Sequence, residues 1–254
     1  MSILLSGDFH NNAANELSLI AKNSLIQRYS QKLYDGIRYH VILGDCGFLW
    51  PGDWCSDINN FRELSMRPFP VLCVFGNHDP ALGRTDLPEA DIGIGEKVLV
   101  IKEKDPFVAY LKRGGIYMIE NHRFLVLGGA LSIDRESREL GKSWWKQEYW
   151  SEAEKTRLFR TLKRNSDFDY VLSHTGPSRV NNMILNPSQG DRVFMFFDEV
   201  GVLNEKIDGL ITCKQWFCGH WHRDGYYYEK NLNRGYQYLY RKTALMSGDK
   251  IMVK

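Results

Sequence analysis

The sequence predicts a layered α/β domain with parallel strands that takes up antiparallel pairing in its second half. Three observations lead there. Short apolar runs recur and each delivers a polar donor just past its end; helical spacing separates the first runs; and alternating or aromatic segments fill the rest.

The first run, SILLSGD at residues 2–8, reads as a buried strand stopped by Gly7, with Asp8 beyond it. Leu17, Ile20, Leu25, Ile26, Tyr29 and Leu33 then recur at helical spacing and predict one amphipathic helix over 14–34. YHVILGDCG at 39–47 repeats the strand pattern and ends on Gly44 and Asp45. A second helix is expected at 57–66, and FPVLCVFGNHDP at 69–80 gives a third strand ending on Gly76 and Asn77. Strand and helix alternating in this way build parallel sheets. GIYMIENHRFLVLGGA at 115–130 reads instead as a hairpin turning at Asn121 and His122. A charged helix over 151–164 precedes FDYVLSHTGP at 168–177, a strand ending on His174. KQWFCGHWH ends the same way, and DGYYYEKN and YQYLYRK add aromatic strands.

Composition narrows the function. The chain has 254 residues, 43% of them hydrophobic, 25% charged and 13% aromatic, as expected of one globular domain spanning 1–254. A net charge of +2 gives no long-range field for avid, non-specific binding to nucleic acid. No apolar run reaches the roughly 18 residues that a membrane helix needs, so no membrane span is expected. Five cysteines without a CxxC pair, and no leader of basic then apolar residues, point to a reduced cytoplasmic setting.

The polar residues at the strand ends are Asp8, His10, Asp45, Asn77, His174, His220 and His222. In open α/β sheets ligands bind beyond the carboxyl ends of the strands, so these side chains are expected to meet there. All are oxygen or imidazole donors suited to manganese, iron or zinc. His220 and His222 would face one side of a strand, as metal ligands or simply as its polar end. His40 and His122 fall outside the set by position and read as structural or exposed. Cys46 reads as a small packed residue.

The ordered series Gly7-Asp8-Phe9-His10, Gly44-Asp45, Gly76-Asn77-His78-Asp79, Ser173-His174 and Gly219-His220-Trp221-His222 resembles the five signature blocks of the calcineurin-like metallophosphoesterase superfamily. The resemblance implies a four-layer αββα sandwich, two mixed β-sheets flanked by helices, with a metal site at the carboxyl ends of the strands. It implies two divalent metal ions, manganese first, with iron or zinc as alternatives. Asp8, His10 and His222 would hold one ion, Asn77, His174 and His220 the other, and Asp45 would bridge them. Such a pair, about 3.5–4 Å apart, activates a water and stabilises in-line displacement at phosphorus. His78 is then expected as a general acid or transition-state donor, with Asp79 fixing its tautomer. The alternative makes His78 a third ligand and Asp79 a cap or turn residue.

Protein serine/threonine phosphatases of the superfamily carry Asp-Arg-Gly after the second block, whereas here CGFLWPGDW follows Asp45. That departure points to the phosphodiesterase-like branch, although the extra aspartate of many diesterases is also absent. The segment at 128–150 resembles an insert of some bacterial and phage members. Its Arg135 and Arg138 could clamp a phosphate while Trp144 stacks on a base, with Trp50 beside Asp45 as another pocket residue; the alternative is a packing anchor with surface ion pairs. The expected substrate is a small phosphoester of nucleotide type, mono- or diester. A nuclease, or a nucleotide- or metal-sensing module without turnover, is the competing reading.

Overall fold

The computed structural model describes residues 1–8, 20–48, 68–79, 87–104, 107–185 and 198–254. His10, Trp50, Trp54, the helix expected at 57–66 and the start of the one expected at 14–34 lie outside the described residues. In chain order the elements are β1 (Ser2–Ser6), α1 (Lys22–Tyr29), α2 (Gln31–Asp35), β2 (Ile37–Ile42), β3 (Val71–Cys73), β4 (Glu89–Ala90), β5 (Val98–Lys102) and β6 (Val108–Tyr110). There follow β7 (Ile116–Ile119), β8 (His122–Leu127), α3 (Glu152–Leu162), β9 (Tyr170–Ser173), α4 (Ser178–Leu185), α5 (Glu199–Asp208) and β10 (Gln215–Cys218). The last strands are β11 (Gly225–Glu229), β12 (Arg234–Tyr238), β13 (Thr243–Ser247) and β14 (Lys250–Val253).

Two mixed sheets result, one ordered β14-β13-β1-β2-β3-β6-β5-β4 and the other β11-β12-β10-β9-β8-β7. β1, β2, β3 and β6 run parallel, as do β8, β9, β10 and β12; the hairpins at the edges are antiparallel. Strand residues alternate between two cores. Ile3, Leu5, Val41 and Leu72 meet Phe124, Val126, Leu172 and Phe217 between the sheets. Leu4, Ile42 and Val71 pack outward with Leu25 and Tyr29 of α1, while Leu125, Val171 and Trp216 pack outward with Leu158 of α3 and Ile207 of α5. Helix, sheet, sheet and helix are therefore the four layers, and each fully buried aliphatic side chain contributes about 1.5–3 kcal/mol to holding them.

Two expectations are corrected. The helix read as continuous through residue 34 breaks at Ser30, whose φ is 110° and whose Oγ accepts from Leu33 N at 3.4 Å, so a serine caps a fresh helix instead of continuing the old one. The hairpin turns at Glu120 and Asn121, both with positive φ, which makes His122 the first residue of β8. His40 is buried in β2 with Nε2 2.8 Å from Ser6 Oγ, a structural histidine as expected. No helix among the described residues is long and apolar enough to cross a membrane.

Candidate metal centre

Asp8, Asp45 and Asn77 follow β1, β2 and β3, adjacent parallel strands of one sheet. His174 and His220 follow β9 and β10, parallel neighbours in the other. The two rims meet, and the loops there are sharply bent. Asp45, His220 and His222 take φ of 49°, 70° and 48°, a left-handed conformation that costs of order 1–3 kcal/mol per residue and is typical of functional sites. Gly44 has φ 97° and packs so close that a Cβ there would run into the His174 ring; a Cβ on Gly76 would run into the Asp45 carboxyl.

The side chains converge. His174 Nδ1 donates to the Leu43 carbonyl at 2.7 Å, which turns Nε2 toward Asn77 Oδ1 at 3.0 Å and Asp45 Oδ2 at 3.2 Å. The same ring lies 4.9 Å from the His220 ring, centre to centre, and its Nδ1 is 3.4 Å from Asp8 Oδ1. Asp8 Oδ1 accepts from His220 N at 2.9 Å, and His222 Nε2 stands 3.7 Å from Asp8 Oδ2. One donor atom each from Asp45, His174 and His220 lies within 4.8 Å of the others.

This cluster is rich in lone pairs and carboxylates. Burial works against a charged His174, yet the carboxylates of Asp45 and Asp8 and the Leu43 carbonyl outweigh it and push the ring up to about 10. Burial, helped by Asp45, raises Asp8 to about 7. Burial, with His174 alongside, holds His220 well below the ordinary histidine range, so it presents a bare nitrogen. Its Nε2 and Asp8 Oδ2 are buried without a hydrogen-bond partner among the described residues. A proton on His174 Nε2 thus stands where a divalent cation would satisfy oxygen and nitrogen donors at once, and the residues present fit a metal.

The sequence profile of the calcineurin-like phosphoesterase family matches residues 1–224. The chain belongs to that family. Among solved structures, one crystal structure is 12% identical with a TM-score of 0.58, over 100% of this chain and 98% of the other. A dimetal phosphatase from Danio rerio is 13% identical, TM-score 0.51, over 100% and 95%. A Staphylococcus aureus protein solved as a candidate 5′-nucleotidase, in complex with alpha-ketoglutarate, is 15% identical, TM-score 0.50, over 100% of this chain and 52% of its own. At these identities the likeness is one of fold. No curated protein matches the chain.

Several expected residues sit differently from the expectation. His220 and His222 lie beyond β10 rather than on it, and left-handed backbone, not strand alternation, aims their rings; His222 stacks on Tyr240 at 4.7 Å with its side chain 49% exposed. The oxygens of Asp79 accept from Cys46 N (3.1 Å), Gly76 N (2.8 Å) and Tyr110 OH (2.8 Å), clamping the turns that carry Asp45 and Asn77. His78 N donates to Asp45 Oδ1 at 2.8 Å, and its Nε2 is 3.9 Å from Asp45 Oδ2. Phe48, two residues before the candidate pocket residue Trp50, is buried in the core with Leu25 and Tyr29 of α1.

In the 128–150 segment the Trp144 side chain is buried with the Arg135 guanidinium 4.4 Å above its ring, while Arg138 reaches the centre and touches His78. Sequence reasoning missed Ser132 and Glu148. Ser132 Oγ accepts from Asn77 Nδ2 at 3.0 Å and donates to Glu148 Oε2 at 2.6 Å. Their only signal was membership of that unusual segment.

Proposed function

We propose that this chain, acting as one domain over 1–254, is a dinuclear-metal phosphoesterase that hydrolyses a nucleotide-type phosphodiester or phosphomonoester. The observation that carries this is the convergence of Asp45, His174 and His220 from strands of both sheets, with buried, unsatisfied Asp8 Oδ2 and His220 Nε2 beside them. Asp8, His10 and His222 would hold one ion; Asn77, His174 and His220 the other; Asp45 both. When bound, such ions supply Lewis acidity and a water of lowered pKa. The protein supplies the rest. Leu43 O fixes His174 so that Nε2 faces inward, neutral Asn77 keeps the site more positive than a carboxylate would, and His78 stands beside Asp45 to stabilise the leaving oxygen. The fold shared with a dimetal phosphatase and a candidate nucleotidase supports this reading.

Purified protein loaded with Mn²⁺ is expected to hydrolyse bis(p-nitrophenyl) phosphate and p-nitrophenyl phosphate, the ratio of rates giving its ester preference. Asp45→Asn is expected to lose both activity and metal. Metal analysis that finds no bound transition metal after loading would refute the proposal.

A further inference from the structure

The Asn77-His78 pair carries two choices that its covalent structure leaves open: which way the Asn77 amide faces, and which ring nitrogen of His78 holds the proton. We propose that the 128–150 segment is a strap whose positioning residues make both choices, Ser132 with Glu148 for Asn77 and Arg138 with Asp134 for His78. This rests on the metal-site reading above.

The strap is pinned at both ends. Trp150 Nε1 donates to Gly128 O at 2.9 Å, Gly129 N donates to Phe75 O at 2.8 Å, and buried Arg113 donates to the carbonyls of Gln147 and Tyr149 at 3.1 Å each. Glu148 is buried, and its carboxylate takes the single hydroxyl proton of Ser132. Ser132 Oγ is then left to accept, so it selects the NH₂ end of Asn77 and turns Oδ1 toward His174 Nε2. On the other arm, Asp134 grips Arg138 bidentately, Oδ1 to Nε at 2.6 Å and Oδ2 to Nη2 at 2.7 Å, and Arg138 Nη1 also donates to Ser143 O at 2.9 Å. The remaining Nη1 hydrogen faces His78 Nδ1 at 3.0 Å, and Nη2 lies farther off, 3.4 Å from His78 Nε2. A guanidinium only donates and its closer contact is to Nδ1, which selects Nδ1 as the bare nitrogen and leaves the ring proton on Nε2, the nitrogen 3.9 Å from Asp45 Oδ2. With its donors committed this way, Arg138 serves His78 and does not clamp a substrate phosphate.

The test uses the full chain. In metal-free, ¹⁵N-histidine-labelled protein, with His78 signals assigned by their loss in His78→Gln, long-range ¹⁵N–¹H coupling is expected to show the Nε2–H tautomer. Arg138→Met is expected to convert it to a mixture and Arg138→Lys to retain most of it. Ser132→Ala is expected to leave the His78 pattern unchanged but weaken calorimetric Mn²⁺ binding about 10–100-fold at one ion, whereas Arg138→Met changes Mn²⁺ affinity by about twofold at most. On bis(p-nitrophenyl) phosphate, Arg138→Met is expected to lower kcat with KM unchanged. An unaltered His78 pattern in Arg138→Met, a KM effect in place of kcat, or wild-type Mn²⁺ affinity in Ser132→Ala overturns the proposal. Glu148→Gln repeats the Ser132 arm should Ser132→Ala fail to fold by near-ultraviolet dichroism. If wild-type protein binds no Mn²⁺, the phosphoesterase reading fails, while the tautomer measurement still decides the His78 arm.

Discussion

His78 and the glycines of the site do separate jobs, and substitutions distinguish them. His78 Nε2 stands 3.9 Å from Asp45 Oδ2, where the proposed reaction would develop charge. Replacing it with alanine is expected to cost on the order of 10²–10⁴ in kcat while Mn²⁺ content stays at the wild-type level, checked by metal analysis of the purified variant. Gly44 and Gly76 act on the ligands themselves. A methyl group at Gly44 must push the His174 ring away, so Gly44→Ala is expected to lose on the order of 100-fold in activity together with Mn²⁺ affinity. Asp8, Asp45, Asn77, His174 and His220 were legible in the sequence because each follows an apolar run, and a strand that stops must present its next side chain at the rim. Ser132 and Glu148 were not legible as part of a site, and Arg138 was legible only as a candidate phosphate clamp and not as a partner of His78, since they act through contacts 55, 16 and 60 residues away in the chain that no local pattern encodes.

Among the elements, α5 and β12 are locked by a buried charge cluster. The Asp208 carboxylate accepts from Arg234, from Tyr236 OH at 2.8–2.9 Å and from Arg179 Nη2 at 2.6 Å, while Arg234 also donates to Ile211 O at 2.6 Å. Removing the arginine leaves a buried, under-compensated carboxylate. Arg234→Met is expected to destabilise the fold by about 3–5 kcal/mol in urea unfolding, and the double variant Arg234→Met with Asp208→Asn to recover part of that. α1 and α2 teach the converse about reading elements. Apolar spacing continues through Ser30, so periodicity alone could not find the break; the serine hydroxyl that caps Leu33 could have.

At the scale of the molecule, the candidate metal centre draws its donors from both sheets, so under the proposed function metal removal is expected to lower stability as well as activity. The sign of its pH dependence follows from His174. A histidine raised from 6.5 to about 10 stabilises the chelated protein below pH 6.5, and that contribution is lost as pH rises toward 10. Asp8, raised to about 7, has its penalty already in full above that pH, and His220, held low, acts only below 6.5. Between pH 7 and 9 the Tm of the chelated protein is therefore expected to fall. The gap to the Mn²⁺-loaded protein should widen, since deprotonated imidazoles bind metal better. Differential scanning fluorimetry with and without chelator reads both.

β1 lies between β2 and β13, with Ser2 opposite Ser247 and Ser6 opposite Thr243. β1 and β13 are far apart in the sequence, so the flank of β1 that β13 covers stays open until that later stretch has been synthesised and has docked. During that interval the row of free amides beside Ile3, Leu4 and Leu5 is a template for other strands. Completion of that sheet waits on a long-range pairing, whose loop-closure cost slows folding.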